Sequence, residues 1–261
     1  MSASAYTGMN PAELANIAGS QEDHWWYRGM RAILRRVMSR YVLGKATSRV
    51  LEAGCGTGFD SYWLGRQYGW NIVPVDRERT ALQHVCSLKL PNPVQADVRV
   101  LPFREDSFDL VLSLDVLVHI SRGEEIKCLR EFFRVTKPGG ILLLRAAAFE
   151  VLRSRHSEFV DEKQRFTSAR LTRTAIQTGF RVLYCTYANS LLFPIALAKF
   201  RLWEPLMRKP AASGIGQVPD WLNKLLYLPL AMEAKWIGAG LRLPLGQSIF
   251  LVGQKRAGAA G

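Results

Sequence analysis

Hydrophobic and polar positions along the chain fall into a repeating alternation of short apolar runs and helical stripes. Between Gln21 and Tyr41, the apolar residues Met30, Ile33, Leu34, Val37, Met38 and Tyr41 recur at helical spacing, with arginines on the other face. His24-Trp25-Trp26-Tyr27-Arg28 precedes that helix. An earlier helix is expected from Pro11, with Asn10 as its cap. Val50–Ala53 reads as a short buried strand, and Phe59–Gln67 as the next helix, with Thr57 and Asp60 as caps. Further strands are expected at Trp70–Val75, Pro93–Ala96, Ser107–Leu114, Ile141–Leu144, Arg181–Tyr187 and Gln247–Gly253. Ser107–Leu114 is almost wholly apolar, as a central parallel strand should be. Helices separate them at Arg79 onward, Glu124–Val135 and up to Phe180, and TKPGG at 136–140 reads as a sharp turn. Seven strands alternating with helices predict an α/β fold: a doubly wound, Rossmann-like, mostly parallel sheet.

Three segments follow from this pattern. Residues 1–47 form an N-terminal helical cap, and 48–187 with 247–256 form the core. Residues 188–246 are a helical insertion before the last strand, far longer than an ordinary connection.

The stretch joining the first strand to the next helix carries the most chemistry. Gly54, Gly56 and Gly58 alternate through the turn, where absent side chains let backbone N–H groups approach a ligand. Glu52 stands two residues before the first glycine. A dinucleotide site keeps that helix start free for a pyrophosphate, so a carboxylate there points elsewhere. It suits a ligand with an ammonium and a sulfonium, which describes S-adenosylmethionine. Asp76 ends the second strand, where a carboxylate grips both ribose hydroxyls of an adenosine, with the Arg77 stem beside the adenine. Asp97 is placed to accept from the adenine amino group and the Val98 N–H to donate to the ring. Tyr27 and Arg28 are candidates for the amino-acid carboxylate, the alternative for their aromatic cluster being a packing plug. His119 and His156 are the candidate bases, since imidazole titrates near neutrality. Arg153, Arg155 and Arg165 near His156 suggest an anionic acceptor.

Charge changes the picture in one half of the chain. The net charge is +13, of which +3 falls in residues 1–138 and +10 in 139–261. Nucleic acid, an anionic membrane surface or an acidic substrate would each explain it, as would a solvated basic face. Insertion 188–246 interleaves Trp203, Trp221 and Trp236 with lysines and arginines. It reads either as a lid over a greasy acceptor or as a segment that meets anionic headgroups. No apolar run reaches the length of a membrane span, and no signal peptide is expected. Cys55, Cys86, Cys128 and Cys185 form no CxxC pair, which argues against zinc and for a reduced, cytoplasmic setting, with association to a membrane left open.

Taken together, LEAGCGTG, Asp76, Ala96-Asp97, FDLVLSLDVLVHI and RVTKPGG resemble the successive motifs of class I S-adenosylmethionine-dependent methyltransferases over about residues 48–187. The pattern is similar to the small-molecule and lipid branch, type 11-like and near the quinone C-methyltransferases. HWWYRG, Ser154, His156, Arg165-Phe166-Thr167 and Asn189–Pro194 resemble a narrower bacterial group often linked to glycan and lipid-linked sugar pathways. The resemblance implies Glu52, Gly54, Cys55, Gly56 and Gly58 at the methionine end, Asp76 and Arg77 at the ribose, and Asp97 and Val98 at the adenine. Leu114 would meet the amino group through its carbonyl. It implies an S-adenosylmethionine-dependent methyltransferase of a small-molecule, lipid-like or lipid-linked glycan acceptor, with no metal and no nucleic acid partner expected. The sequence departs at Val118 and Ser157, where relatives carry acids, and this thins the acceptor side. An RNA methyltransferase and a non-catalytic cofactor-binding protein remain the alternatives.

Overall fold

The computed structural model describes residues 11–207, 210–216 and 218–257. Asn10, the expected cap, and the tail 258–261 lie outside them. The strands are β1 (Arg49–Ala53), β2 (Asn71–Asp76), β3 (Val94–Gln95), β4 (Phe108–Leu114), β5 (Thr136–Ala147), β6 (Arg181–Ala188) and β7 (Ser248–Gln254). The helices are α1 (Pro11–Ser20), α2 (Trp25–Tyr41), α3 (Phe59–Tyr68), α4 (Arg79–Ser87), α5 (Glu125–Val135), α6 (Arg155–Phe159), α7 (Ser168–Gln177), α8 (Phe193–Ala198), α9 (Glu204–Met207) and α10 (Asp220–Gly238).

All seven strands form one sheet in the order β3-β2-β1-β4-β5-β7-β6. Only β7 runs antiparallel, slotted between β5 and β6. The chain winds outward from β1 to β3, then returns to lay β4 on the other side of β1. That reversal opens a crevice at the carboxyl ends of β1 and β4, the usual ligand position in such sheets. One face is covered by α2, α3 and α10, through Met30, Ile33, Leu34, Val37, Leu64, Leu230, Ala234 and Ile237. The other is covered by α5 and α7, through Cys128, Leu129, Phe132, Leu171 and Ala175.

Several local expectations are corrected. His24–Arg28 does not precede α2 but makes its cap and first turn, His24 Nδ1 accepting from the Trp26 N–H at 3.3 Å. Gly58 caps α3 with no side-chain bond; the Thr57 hydroxyl instead donates to Gln21 Oε1. TKPGG belongs to β5 rather than to a turn, and the register between β4 and β5 slips there to absorb Gly139 in its left-handed conformation. β3 is two residues long, so Asp97 sits in the loop beyond it. The 188–246 stretch divides its packing: α10 lies along α2, while the residues around α9 border the central cavity.

Candidate active site

The glycine turn is held open by its own geometry. Gly54, Gly56 and Gly58 have φ of 81°, 52° and 77°, the left-handed region that glycine enters without a steric penalty. A Cβ on Gly54 would run into the Val116 side chain, whereas one on Gly56 would meet no protein atom within 4 Å. Gly56 N–H donates to Asp76 Oδ2 at 2.8 Å, tying the turn to the end of β2. Gly58 packs against Val85 of α4 and does not line the crevice.

Over this turn lies a cavity of about 740 Å³. That is a volume suited to a cofactor together with part of a second molecule. Its floor is acidic. Glu52 is fully buried and accepts from the Ser61 hydroxyl. Burial, reinforced by neighbouring Asp60, pushes its carboxyl up to about 8. Burial likewise raises Asp60, against the pull of Arg145 and Arg31. Asp60 Oδ1 is buried with no hydrogen-bond partner among the described residues. Cys55 lines the same floor, its thiol raised by burial. Two arginines face these acids. Arg145, 6% exposed, donates from Nε to Asp115 Oδ2 at 2.8 Å, and its guanidinium lies 5.1 Å from the Trp26 ring centroid. Arg31 lies 4.9 Å from the centroid of Phe59, which also lines the cavity.

At the β2 end, Asp76 lines the cavity with Arg77. Burial raises the Asp76 carboxyl, partly offset by hydrogen bonds from the Glu78 and Gly56 N–H groups. Asp97 and Val98 lie on the same wall. Asp97 is clasped by Arg99, with Nη2 2.6 Å from Oδ2. Burial alone would raise Asp97, but the Arg99 hydrogen bonds hold it below the usual carboxylate range. Part of its accepting capacity is thus already used.

Opposite lie Tyr27, His119 and His156, joined by Glu13 of α1. Leu114 and His119 lie at and just beyond the β4 end. His156 Nδ1 accepts from the Gly214 N–H at 2.9 Å and is 3.6 Å from Glu13 Oε1. Burial lowers this imidazole below its usual range, outweighing the pull of Glu13. The ring is therefore neutral near pH 7, with its proton on Nε2. In this tautomer it offers a donor to the cavity rather than a basic nitrogen.

Two expectations are corrected on geometry. Arg28 is turned away from the cavity, its guanidinium 4.7 Å from the Tyr227 ring centroid of α10. Arg153 and Arg165 do not present an anion site. Arg153 bonds Glu150 and the Glu162 carbonyl, and Arg165 bonds Glu162, the Ala148 carbonyl and Ser157. Arg155 donates from Nε to the Pro210 carbonyl. The sequence reading also missed Glu13, Arg31, Asp60, Arg99, Asp115 and Arg145. Arg145 had a signal, being a lone charge at the end of an apolar strand. Glu13, on a short N-terminal helix, had none.

The cavity suits a zwitterion carrying extra positive charge. Glu52 and Asp60 are buried acids whose ionised forms lack a cation beyond the two arginines, and one Asp60 oxygen is unpartnered. Among the described residues, no cluster of His, Cys, Asp and Glu could hold a metal ion.

Comparison with known proteins bears on this chemistry. Residues 51–144 match the family described as Methyltransferase domain. A probable S-adenosylmethionine-dependent methyltransferase of Mycolicibacterium smegmatis is 28% identical over 133 residues, 49% of this chain and 48% of that protein. A tRNA (carboxymethyluridine(34)-5-O)-methyltransferase of Arabidopsis thaliana is 35% identical over 104 residues, 40% of this chain and 25% of that protein. Such alignments span less than half the length of the curated relatives. Among solved structures, a complex of the Haloferax volcanii Trm112 methyltransferase activator with the putative methyltransferase superposes with a TM-score of 0.61. It is 18% identical and covers 94% of this chain and 95% of that one, a likeness of fold.

Proposed function

We propose that this chain, whose residues 51–144 match a methyltransferase domain, is a class I S-adenosylmethionine-dependent methyltransferase that transfers a methyl group to a small-molecule acceptor with a lipid-like part. The observation that carries the reading is the raised, buried Glu52 beneath the glycine turn, in one cavity with Asp76. Glu52 and Asp60 would hold the ammonium, Arg31 and Arg145 the carboxylate, and Asp76 the ribose hydroxyls. Asp97 and the Val98 N–H would read the adenine, and the Leu114 carbonyl the amino group. When bound, the sulfonium supplies a methyl group already activated for transfer. The protein's part is alignment and exclusion of water, for which an enclosed cavity is suited. His119 is the proposed base where the acceptor keeps its proton; His156, with Nδ1 occupied, donates from Nε2. The test is incubation with labelled S-adenosylmethionine and a lipid and glycan extract, with products read by mass spectrometry. Tight cofactor binding without transfer to any acceptor would favour a non-catalytic role.

The lipid-like part of the reading is supported by the outer face of α10. Trp221, Leu225, Leu228, Met232 and Trp236 are exposed along one stripe, opposite the Leu230, Ala234 and Ile237 face that packs on α2. Leu202, Trp203 and Leu206 are exposed beside the cavity. Insertion 188–246 holds seven Lys and Arg against three Asp and Glu. Lysines edging a tryptophan-ended stripe suit an anionic membrane surface. No described helix is long and apolar enough to cross a membrane. Flotation with anionic vesicles tests the contact, with Leu225→Asp/Leu228→Asp expected to abolish it. Transfer to RNA is the second reading, on the strength of the tRNA methyltransferase relative. RNA affinity that does not fall with salt would count against it.

A further inference from the structure

One margin of the sheet is left unpaired over most of a strand. β6 is the terminal strand and pairs only with β7. It runs parallel to β5, so its first residue, Arg181, stands at the end of the sheet away from the cavity. Near its other end the chain itself touches this margin once. The Tyr187 N–H donates to the Leu243 carbonyl at 3.4 Å, in an isolated antiparallel bridge. The chain then turns back over Ala188 at Gly246 and enters β7. Cys185, two residues before Tyr187, turns its backbone N–H and carbonyl the same way. No described segment outside the sheet bonds them. A bare strand margin is a template for one more strand.

An open groove of about 460 Å³ follows this margin. Ile176 of α7, Val182 and Leu183 line it, and Arg181, Arg242 and Arg256 border it. Arg181 donates to the uncharged Gln254 side chain, and the Arg242 guanidinium lies 5.7 Å from the Tyr184 ring centroid. None of these three arginines enters an ion pair among the described residues. More positive charge crowds the same flank. The Arg40 guanidinium closes on Gly240 after α10, and the Arg181 charge adds to burial in lowering the Lys45 ammonium. The segments that meet here, residues 24–48, 168–188 and 239–257, contain no Asp or Glu at all. Cations gathered without a counter-charge favour an anionic partner. A second copy of this chain would set the same cations against one another, so it does not fit.

We propose that the β6 margin docks a partner protein through an extended acidic segment, which adds a strand to the sheet and lays its carboxylates against Arg181, Arg242 and Arg256. The Cys185 backbone supplies pairing, the groove receives alternate side chains, and the arginines select the charge. The proposal does not rest on the methyltransferase reading.

The probe is a short dye-labelled peptide of alternating Glu and Val, titrated with the whole protein and read by fluorescence anisotropy. Binding should be saturable and should weaken as salt rises. A Lys-Val repeat of the same length should not bind. Arg181→Glu/Arg242→Glu should weaken the Glu-Val peptide at least tenfold while the thermal midpoint of the protein is kept. A fully N-methylated Glu-Val peptide needs no protein variant. It keeps every carboxylate but cannot donate to a strand margin, and it should also bind at least tenfold more weakly. Absence of saturable binding by the Glu-Val peptide overturns the proposal, as does equal affinity for its N-methylated form, which would reduce the contact to charge alone. Tighter binding of oligouridylate or of anionic vesicles, lost in the same double variant, would overturn it in favour of those partners. A dimer that dissociates in that variant would overturn it in favour of self-association.

Discussion

In the role proposed for it, Glu52 should turn cofactor binding into a proton-linked event. Its carboxyl is moved from an ordinary 4.5 to about 8 by burial first and by Asp60 second. With that value, about nine-tenths of the empty protein holds the proton at pH 7. A cationic ligand group placed beside it favours the ionised form, so binding should expel that proton. Two signatures follow. The calorimetric enthalpy of S-adenosylhomocysteine binding at pH 7 should vary with buffer ionisation enthalpy, with a slope close to one released proton. Affinity should rise by up to tenfold per pH unit from pH 6 to 8, then level off. Glu52→Gln should lose about 0.9 of that proton and flatten the pH profile, since an amide has nothing to release. The same displacement acts on the empty fold. The folded carboxyl keeps a proton that the unfolded chain gives up above 4.5, so this stabilisation is complete below that value and is lost as pH rises through about 8. The full span corresponds to ~5 kcal/mol at 1.36 kcal/mol per pKa unit. Urea titrations of the ligand-free protein should accordingly show stability falling between pH 6 and 8, less steeply in Glu52→Gln. Buffer-independent enthalpies in the wild-type protein, or an identical pH slope in the variant, would refute the reasoning.

Other substitutions probe the remaining walls. Arg145→Met leaves Asp115 without its charged donor; urea unfolding should register a loss of about 1.5–3 kcal/mol, and S-adenosylhomocysteine binding should weaken at least tenfold. Gly54→Ala drives a methyl group into Val116 at a φ of 81°. It should abolish cofactor binding, and adding Val116→Ala should restore part of the lost thermal stability, leaving the ~1–2 kcal/mol of left-handed strain. Asp76→Asn should reduce the affinity for adenosine, measured by calorimetry, by tenfold or more, because the ribose loses a carboxylate and gains an amide that donates where acceptance is needed.

The central sheet was readable because its strands are apolar runs bounded by glycines and acids, and parallel strands buried on both faces leave that signature. The cavity floor around the glycine turn was readable for a related reason: Glu52, Gly54, Gly56 and Asp76, which line it together, lie at strand ends and turns, where sequence position and spatial position coincide. The opposite wall was not. Glu13 reaches the cavity from a ten-residue helix, and only the packing of α1 over the crevice brings it within 3.6 Å of His156, which lies far along the chain. The arginines show the same limit. Arg28, Arg153 and Arg165 are chemically plausible ligands for an anion, but Tyr227, Glu150 and Glu162 engage them first. Sequence proximity identified the charges and could not identify their partners. TKPGG was misread because glycines usually end regular structure, whereas here a register slip lets β5 continue through them.

The antiparallel β7 has a consequence for how the molecule comes to be. It lies between β5 and β6, so Ile141 is paired with Gln254 and Arg181 with the same residue on its other side. During synthesis β6 has no neighbour to join until residues near the C-terminal end of the described chain have emerged. A ribosome-bound chain would carry β6 unzipped and the outer flank of β5 bare, and loop closure over such separations is slow. Of the seven strands, the one made last is the one that zips the sheet shut.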